Sequence, residues 1–200
     1  MPDPRSTALT TPVDGLTVEP MTDADLASIT EQLGREPRGV VGIAWRCTCG
    51  RPGVVVTEPR LPNGTPFPTT YYLTCSRLAS AIGTLEASGL MAEMSERLLA
   101  DEALAANYRS AHESYLADRD AVAERSGLGE VPEIRGISAG GMPTRVKCLH
   151  VLAAHSLAKG EGVNLLGDET VVRLADFFAR HTADDTDQSR SLGATAEDRS

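Results

Sequence analysis

The apolar pattern changes period at Cys75, and that change limits the folds open to this chain. Before it, Val41, Ile43 and Trp45 alternate within the run Gly39 to Cys47, and Val54-Val55-Val56 and Tyr71-Tyr72-Leu73 form two more short runs. Such patterns mark strands. After it, Leu78, Ile82 and Leu85 recur at i, i+4 and i+7 and stop at Gly89. From about Leu90 to Arg125, Met91, Met94, Leu98, Ala105, Tyr108, Tyr115 and Val122 follow at three- and four-residue steps, the spacing of a buried helical stripe. Three short strands close together in the chain, followed by several helical stretches, predict an α+β fold. It would have a small three-stranded antiparallel sheet packed against several helices, including a long amphipathic helix or helix pair. Cys49-Gly50-Arg51-Pro52-Gly53 suits the first reversal and Pro62-Asn63-Gly64 marks a turn in the second. That second connection, Pro59 to Thr69, is long and proline-laden, and it predicts a shaped surface loop.

The helix boundaries are partly written in the sequence. Thr22-Asp23-Ala24-Asp25 reads as an N-cap with an acidic N3 residue, and Gly34 supplies the stop. Asp101 falls on the apolar stripe, so the stretch 90–125 is one helix or a pair broken there. Pro143 fits a first helical position, predicting a helix from there to about Lys159. A last helix is expected over about Asp168 to Arg180. Residues 1–19 and the acidic tail 181–200 are too polar to offset their ordering entropy and are expected to be disordered. The single folded domain is then 20–180.

Composition narrows the function classes. With 41% hydrophobic residues the chain can build an ordinary core, but at 4% aromatic that core rests on aliphatic side chains. A formal net charge of -9 argues against nucleic acid or an anionic lipid surface as a global partner. The N-terminus has no apolar core of a secretory signal, and no stretch is long and apolar enough to span a bilayer. These features predict a cytoplasmic protein whose thiols stay reduced, which favours metal binding, a reactive thiol or burial over disulfides.

Four cysteines flank the least generic segments. Cys47 and Cys49 form a C-x-C pair, Cys75 closes the third strand, and Cys148 lies in Arg145-Val146-Lys147-Cys148-Leu149-His150. Together they are candidate ligands for zinc, which favours closed tetrahedral thiolate sets. In an unbroken strand Cys47 and Cys49 share the face of Val41, Ile43 and Trp45, so separately buried core thiols are the competing reading. In a regular helix Cys148 and His150 point about 200° apart, which denies them a common ion. Cys148, in the second turn of its predicted helix beside Lys147, is the candidate nucleophile, and His150 its candidate catalytic partner. His112, on the edge of the long stripe, reads as a half-buried structural histidine.

A second constellation suggests an anion. Gly140-Gly141 stands before a predicted helix N-terminus, whose free amides and dipole favour phosphate or carboxylate. Arg145 and Lys147 add charge, and Arg46 and Arg60 are candidates to join them. A flexible linker with solvated basic residues accounts for the same pattern. No Walker spacing, Ser-His-Asp order, paired-carboxylate motif or dinucleotide fingerprint is present.

Three stretches resemble a known family: Arg46-Cys47 to Gly50, Leu61-Pro62-Asn63-Gly64-Thr65-Pro66-Phe67-Pro68-Thr69 to Leu73-Thr74, and Arg145 to His150. They are similar to the mostly actinobacterial family of the domain of unknown function 501, across about residues 23 to 168. The resemblance implies no established activity, substrate or cofactor. It implies gene neighbourhoods near a septum-formation initiator protein and an exopolyphosphatase. It also implies that Cys49 and Cys75 are not fixed family features, which favours Cys47, Cys148 and His150 as the core of any thiol site. The leading expectation is a binding or adaptor module. Its pocket would lie between the Pro59–Thr69 loop and the Gly140–His150 segment and take a small anion such as a phosphorylated metabolite or polyphosphate. The rivals are a metal-binding protein or thiol enzyme using Cys47, Cys148 and His150, and a protein-partner scaffold presenting the Met94–Tyr108–Tyr115 stripe.

Overall fold

The computed structural model describes residues 16–181. Seven helices and a three-stranded sheet occur there in the order α1 (Asp23–Leu33), β1 (Val40–Arg46), β2 (Pro52–Thr57), β3 (Tyr71–Leu73), α2 (Ser76–Ala87), α3 (Leu90–Ala100), α4 (Glu102–Arg125), α5 (Leu149–Lys159), α6 (Leu165–Val172) and α7 (Ala175–Arg180). A single 3-10 turn, Pro132–Ile134, lies between α4 and α5. The α+β expectation holds.

The sheet runs β1-β2-β3, antiparallel throughout. Its central strand β2 is buried at all six positions. Alternation explains how: Val54 and Val56 join the helical core, while Val55 lines a cavity beside Leu33 of α1. The core helix is α5, which packs on all three strands and on α2 and α6. Leu149, Leu152, Ala153, Ala154, His155 and Ser156 of this helix are buried. It meets α6 at Gly167, where a Cβ would come within 2.3 Å of the Leu152 carbonyl oxygen. Only glycine permits that approach.

The predicted cap of α1 is present in full. Thr22 and Asp25 form a reciprocal capping box, and Gly34 closes the helix in the left-handed region. The 90–125 stretch is two helices. Asp101 is extended at φ -118°, ψ 101°, and its carboxylate accepts from Leu104 N at 3.0 Å, so it caps α4. Met94, Tyr108 and Tyr115 of these helices have no exposed surface. The stripe is therefore internal, and it offers no partner groove on the monomer.

Several sequence boundaries shift. Strand β1 stops at Arg46, and Cys47–Gly50 forms a turn in place of a continued strand. The helix expected from Pro143 begins six residues later, at Leu149. Residues 140–147 instead fold back on themselves, with Arg145 N donating to Gly141 O and Lys147 N to Gly140 O. Neighbouring helices hold them there: Ser95 Oγ accepts from Val146 N at 3.0 Å, and Tyr108 donates to Arg145 O at 3.2 Å. The last helix is split into α6 and α7.

Both expected disordered ends reach into the fold. Leu16 is 1% exposed and Glu19 bridges Ile43 of β1 in an antiparallel pair. Gly42 makes room for this crossing, since a Cβ there would lie 2.4 Å from Val18. His181 is buried as well. The remainder of 1–19 and 181–200 lies outside the described residues.

Candidate metal centre

The start of α5 gathers three donor side chains. Cys148 precedes the helix in an extended conformation, at φ -156° and ψ 111°. Its Sγ therefore escapes the helical phase that would turn it away from His150, and lies 3.8 Å from His150 Nδ1. Glu86, one residue from the end of α2, sets Oε1 3.1 Å from the same Nδ1 and 2.7 Å from Leu149 N. Sγ, Nδ1 and the carboxylate oxygen all lie within 4.8 Å of one another, and all three residues are partly exposed. The sequence argument against joint ligation by Cys148 and His150 thus fails, because it assumed both residues to be helical.

The ring's proton geometry is informative. Nε2 of His150 lies 3.0 Å from the Ala79 carbonyl, which can only accept, so Nε2 carries a hydrogen. In the neutral ring, Nδ1 is then an acceptor facing a carboxylate oxygen. Two acceptors at 3.1 Å need a cation or a proton between them. The Cys148 sulfur, and after it Glu86, draw the imidazole up to about 9 despite its burial, which is the proton's answer to that need. A metal ion meets the same need. A tetrahedral zinc ion, with sulfur at about 2.3 Å and nitrogen or oxygen at about 2.0 Å, separates S from N by roughly 3.5 Å and N from O by roughly 3.3 Å. The observed 3.8 Å and 3.1 Å lie close to these values, and the sulfur and the carboxylate oxygen are within 4.8 Å of each other. The Ala79 carbonyl already supplies the outer hydrogen bond that metal-bound histidines use to fix their tautomer.

The other thiols gather elsewhere. Cys47, at the β1–β2 turn, and Cys75, the N-cap of α2, meet His181, with Cys75 Sγ 3.7 Å from His181 Nε2. All three are buried. Cys75 is pulled down to about 7, first by the Cys47 thiol that donates to it, and further by the Leu78 and Arg77 amides of α2. Cys47 is pushed up in return by Cys75 and by burial. Cys49, also buried, is raised by burial and by the nearby Cys47. The four-cysteine set and the Cys47–Cys148–His150 set are both corrected by this arrangement: Cys47 keeps company with Cys75, and Cys148 with Glu86. Sequence reasoning missed Glu86, an unremarkable surface-phase residue of α2, and His181, assigned to the tail.

The basic residues do not converge as expected. Arg46 is bound bidentately by Asp25, at 2.8 and 3.2 Å, and by Glu19 at 2.8 Å. Arg60 makes a bidentate pair with Glu133. Gly140 and Gly141 have positive φ and turn their carbonyls to the loop's own amides, and the α5 amide of Leu149 is taken by Glu86. The helix N-terminus thus already holds an anion, and it is a side chain of the protein. Arg145 and Lys147 are exposed and have no ion-pair partner among the described residues. The cavity beside the Pro59–Thr69 loop, about 190 Å³ and lined by Leu33, Arg38, Val55, Phe67 and Tyr72 among others, takes no residue from Gly140–His150. His112 is half-buried and structural, with Nδ1 2.8 Å from Ser138 Oγ.

The family model described as "Protein of unknown function (DUF501)" matches residues 43–172, well over half of the chain. The chain belongs to that family. Glu86, Cys148 and His150 lie within the matched span, and His181 lies beyond it. Neither the curated proteins nor the solved structures gave a match. No helix among the described residues is long and apolar enough to cross a membrane.

Proposed function

We propose that this protein is a metal-binding domain that holds one zinc-type ion through Glu86, Cys148 and His150 and offers the ion's open position to a small anionic ligand of the phosphate class. The observation that carries the reading is the pair of acceptors, Glu86 Oε1 and His150 Nδ1, at 3.1 Å with the Cys148 sulfur alongside. Three protein ligands at a half-exposed position leave a fourth site open, the mark of working rather than structural zinc. Lys147 follows the turn into Cys148, and with Arg145 it supplies uncommitted positive charge for an anion arriving at the metal. The reading goes with a reducing, cytoplasmic setting, where Cys148 remains a thiol.

A thiol nucleophile is the weaker reading of the same residues. In a Cys-His-carboxylate triad the carboxylate orients one ring nitrogen while the other faces the thiol. Here both partners meet Nδ1, and Nε2 is bonded to a backbone carbonyl.

Metal content and cobalt(II) titration of the full chain test the proposal. Cys148→Ser and Glu86→Gln should each weaken one binding event by at least about 10-fold, given that even outer-shell changes cost about 10–100-fold. Inorganic phosphate should shift the cobalt d–d spectrum of wild type, and less so in Lys147→Ala. Binding unaltered by both Cys148→Ser and Glu86→Gln would overturn the metal site, and a spectrum indifferent to phosphate would overturn the ligand.

A further inference from the structure

The second donor cluster differs from the first in being closed to solvent. Cys47 and Cys75 are each 3% exposed and His181 is 3% exposed. Their donor atoms come from three remote parts of the chain and lie within 4.8 Å of one another. The 3.7 Å between Cys75 Sγ and His181 Nε2 is close to the roughly 3.5 Å that a tetrahedral ion sets between sulfur and nitrogen. The histidine side of the cluster is unusual for a core residue. Its Nδ1 meets no hydrogen-bond partner among the described residues, so the ring's polar engagement is directed at the thiols.

The surroundings hold that ring in place. Thr48 Oγ1, between Cys47 and Cys49, donates to the His181 carbonyl. Phe177 stacks on the imidazole with centroids 4.8 Å apart, and Phe178 meets Trp45 of β1 edge-on at 6.1 Å. Helix α7 is only six residues long and buries no residue of its own. Its hold on the hairpin therefore depends on these rings and on His181. A cleft of about 400 Å³ between α2 and α7, bordered by Arg77 and Arg180, touches His181 on its outer side.

We propose that Cys47, Cys75 and His181 form a second metal site, structural in kind, that clasps the C-terminal end of α7 onto the β1–β2 turn. Cys49 lies two residues from Cys47 on the same turn and is 8% exposed, but its sulfur is not among the donor atoms that lie within 4.8 Å of one another. Two thiolates and one imidazole in a buried setting suit a soft ion such as zinc held for folding, and Cys49 is the thiol placed to complete the set as the ion binds. This proposal does not rest on the Glu86 site, whose ligands are distinct.

The full chain, reduced and freed of metal, would be titrated with cobalt(II), whose thiolate-to-metal absorption grows with the number of sulfur ligands. Wild type should take two ions per chain. Cys75→Ser should lose one ion and most of the charge-transfer absorption, whereas Cys148→Ser should lose the other ion and the smaller part. His181→Ala, a change at the edge of the fold, guards against misfolding of Cys75→Ser and should weaken the buried site by at least about 10-fold. Cys49→Ser should lower the absorption of the buried site by about one thiolate's share, and an unchanged band removes Cys49 from the set. Two ions retained by both Cys75→Ser and His181→Ala overturn the clasp, as does a single wild-type ion that Cys148→Ser abolishes. A single ion lost in Cys75→Ser but kept in Cys148→Ser upholds the clasp and overturns the Glu86 site.

Discussion

The hydroxyl of Tyr71 on β3 donates to Oδ2 of Asp118 on α4 at 2.7 Å, 47 residues apart in sequence and with both residues buried. The other oxygen of Asp118 receives Lys159 Nζ of α5 at 2.9 Å. One carboxylate thus joins the sheet, the long helix and the core helix. Burial and the facing carboxylate drive the Tyr71 phenol far above its ordinary range, so it stays a donor. Asp118→Ala removes the shared acceptor from a buried ion pair and should cost about 3–5 kcal/mol. Urea denaturation of the variant against wild type measures it.

Acid stability should carry the signature of Asp25. Arg46, with help from Thr22, holds this carboxyl at about 2 against an ordinary 3.8. A depressed folded value means the stabilisation is complete above the unfolded value and is lost as pH falls from about 4 through about 2. The shift corresponds to about 2 kcal/mol. Thermal melts across that window should show the loss in wild type and a flatter profile in Asp25→Asn.

His155 should also cost stability on acidification, but because the fold holds it neutral rather than charged. It is fully buried, stacked on Tyr71 at 5.5 Å and edge-on to Tyr115 at 5.2 Å. Burial, and then the Lys159 charge, hold it down to about 3. It therefore stays neutral in the fold, and the unfolded chain takes up its proton first as pH drops below about 6.5. Stability should fall progressively between pH 6.5 and about 3. His155→Phe keeps the ring contacts and should remove that slope, as read by melts at a series of pH values.

Gly167→Ala tests the α5–α6 contact. The new methyl would meet backbone, at 2.3 Å from the Leu152 carbonyl oxygen, with the Ser156 Cβ at 2.9 Å. Neither neighbour can swing aside, so the helices must separate, at a cost of about 1–3 kcal/mol or more. The melting temperature should drop even though alanine is the better helix former.

Much of the local architecture was legible because short-range rules decide it. The capping box at Thr22, the left-handed Gly34 and the three short strands each depend on residues within a few positions of one another. The break at Asp101, by contrast, is one of two readings on sequence alone, and only the structure shows it capping α4. The site was not legible in the same way. The sequence places Cys148 and His150 together, but a helix phase computed from Pro143 separates them. The loop's own bonds to Gly140 and Gly141, with Ser95 and Tyr108 holding residues 145–146 from neighbouring helices, keep this segment off the helix. Cys148 is extended and on the same side as His150. Glu86 and His181 belong to elements that come near the thiols through packing of α2 against α5 and of α7 against the hairpin. By itself, then, the sequence determined periods, caps and turns, because those energies are local. Which thiol meets which histidine was decided by tertiary structure, since a donor cluster depends on through-space distances between chain-distant side chains that no spacing along the chain encodes.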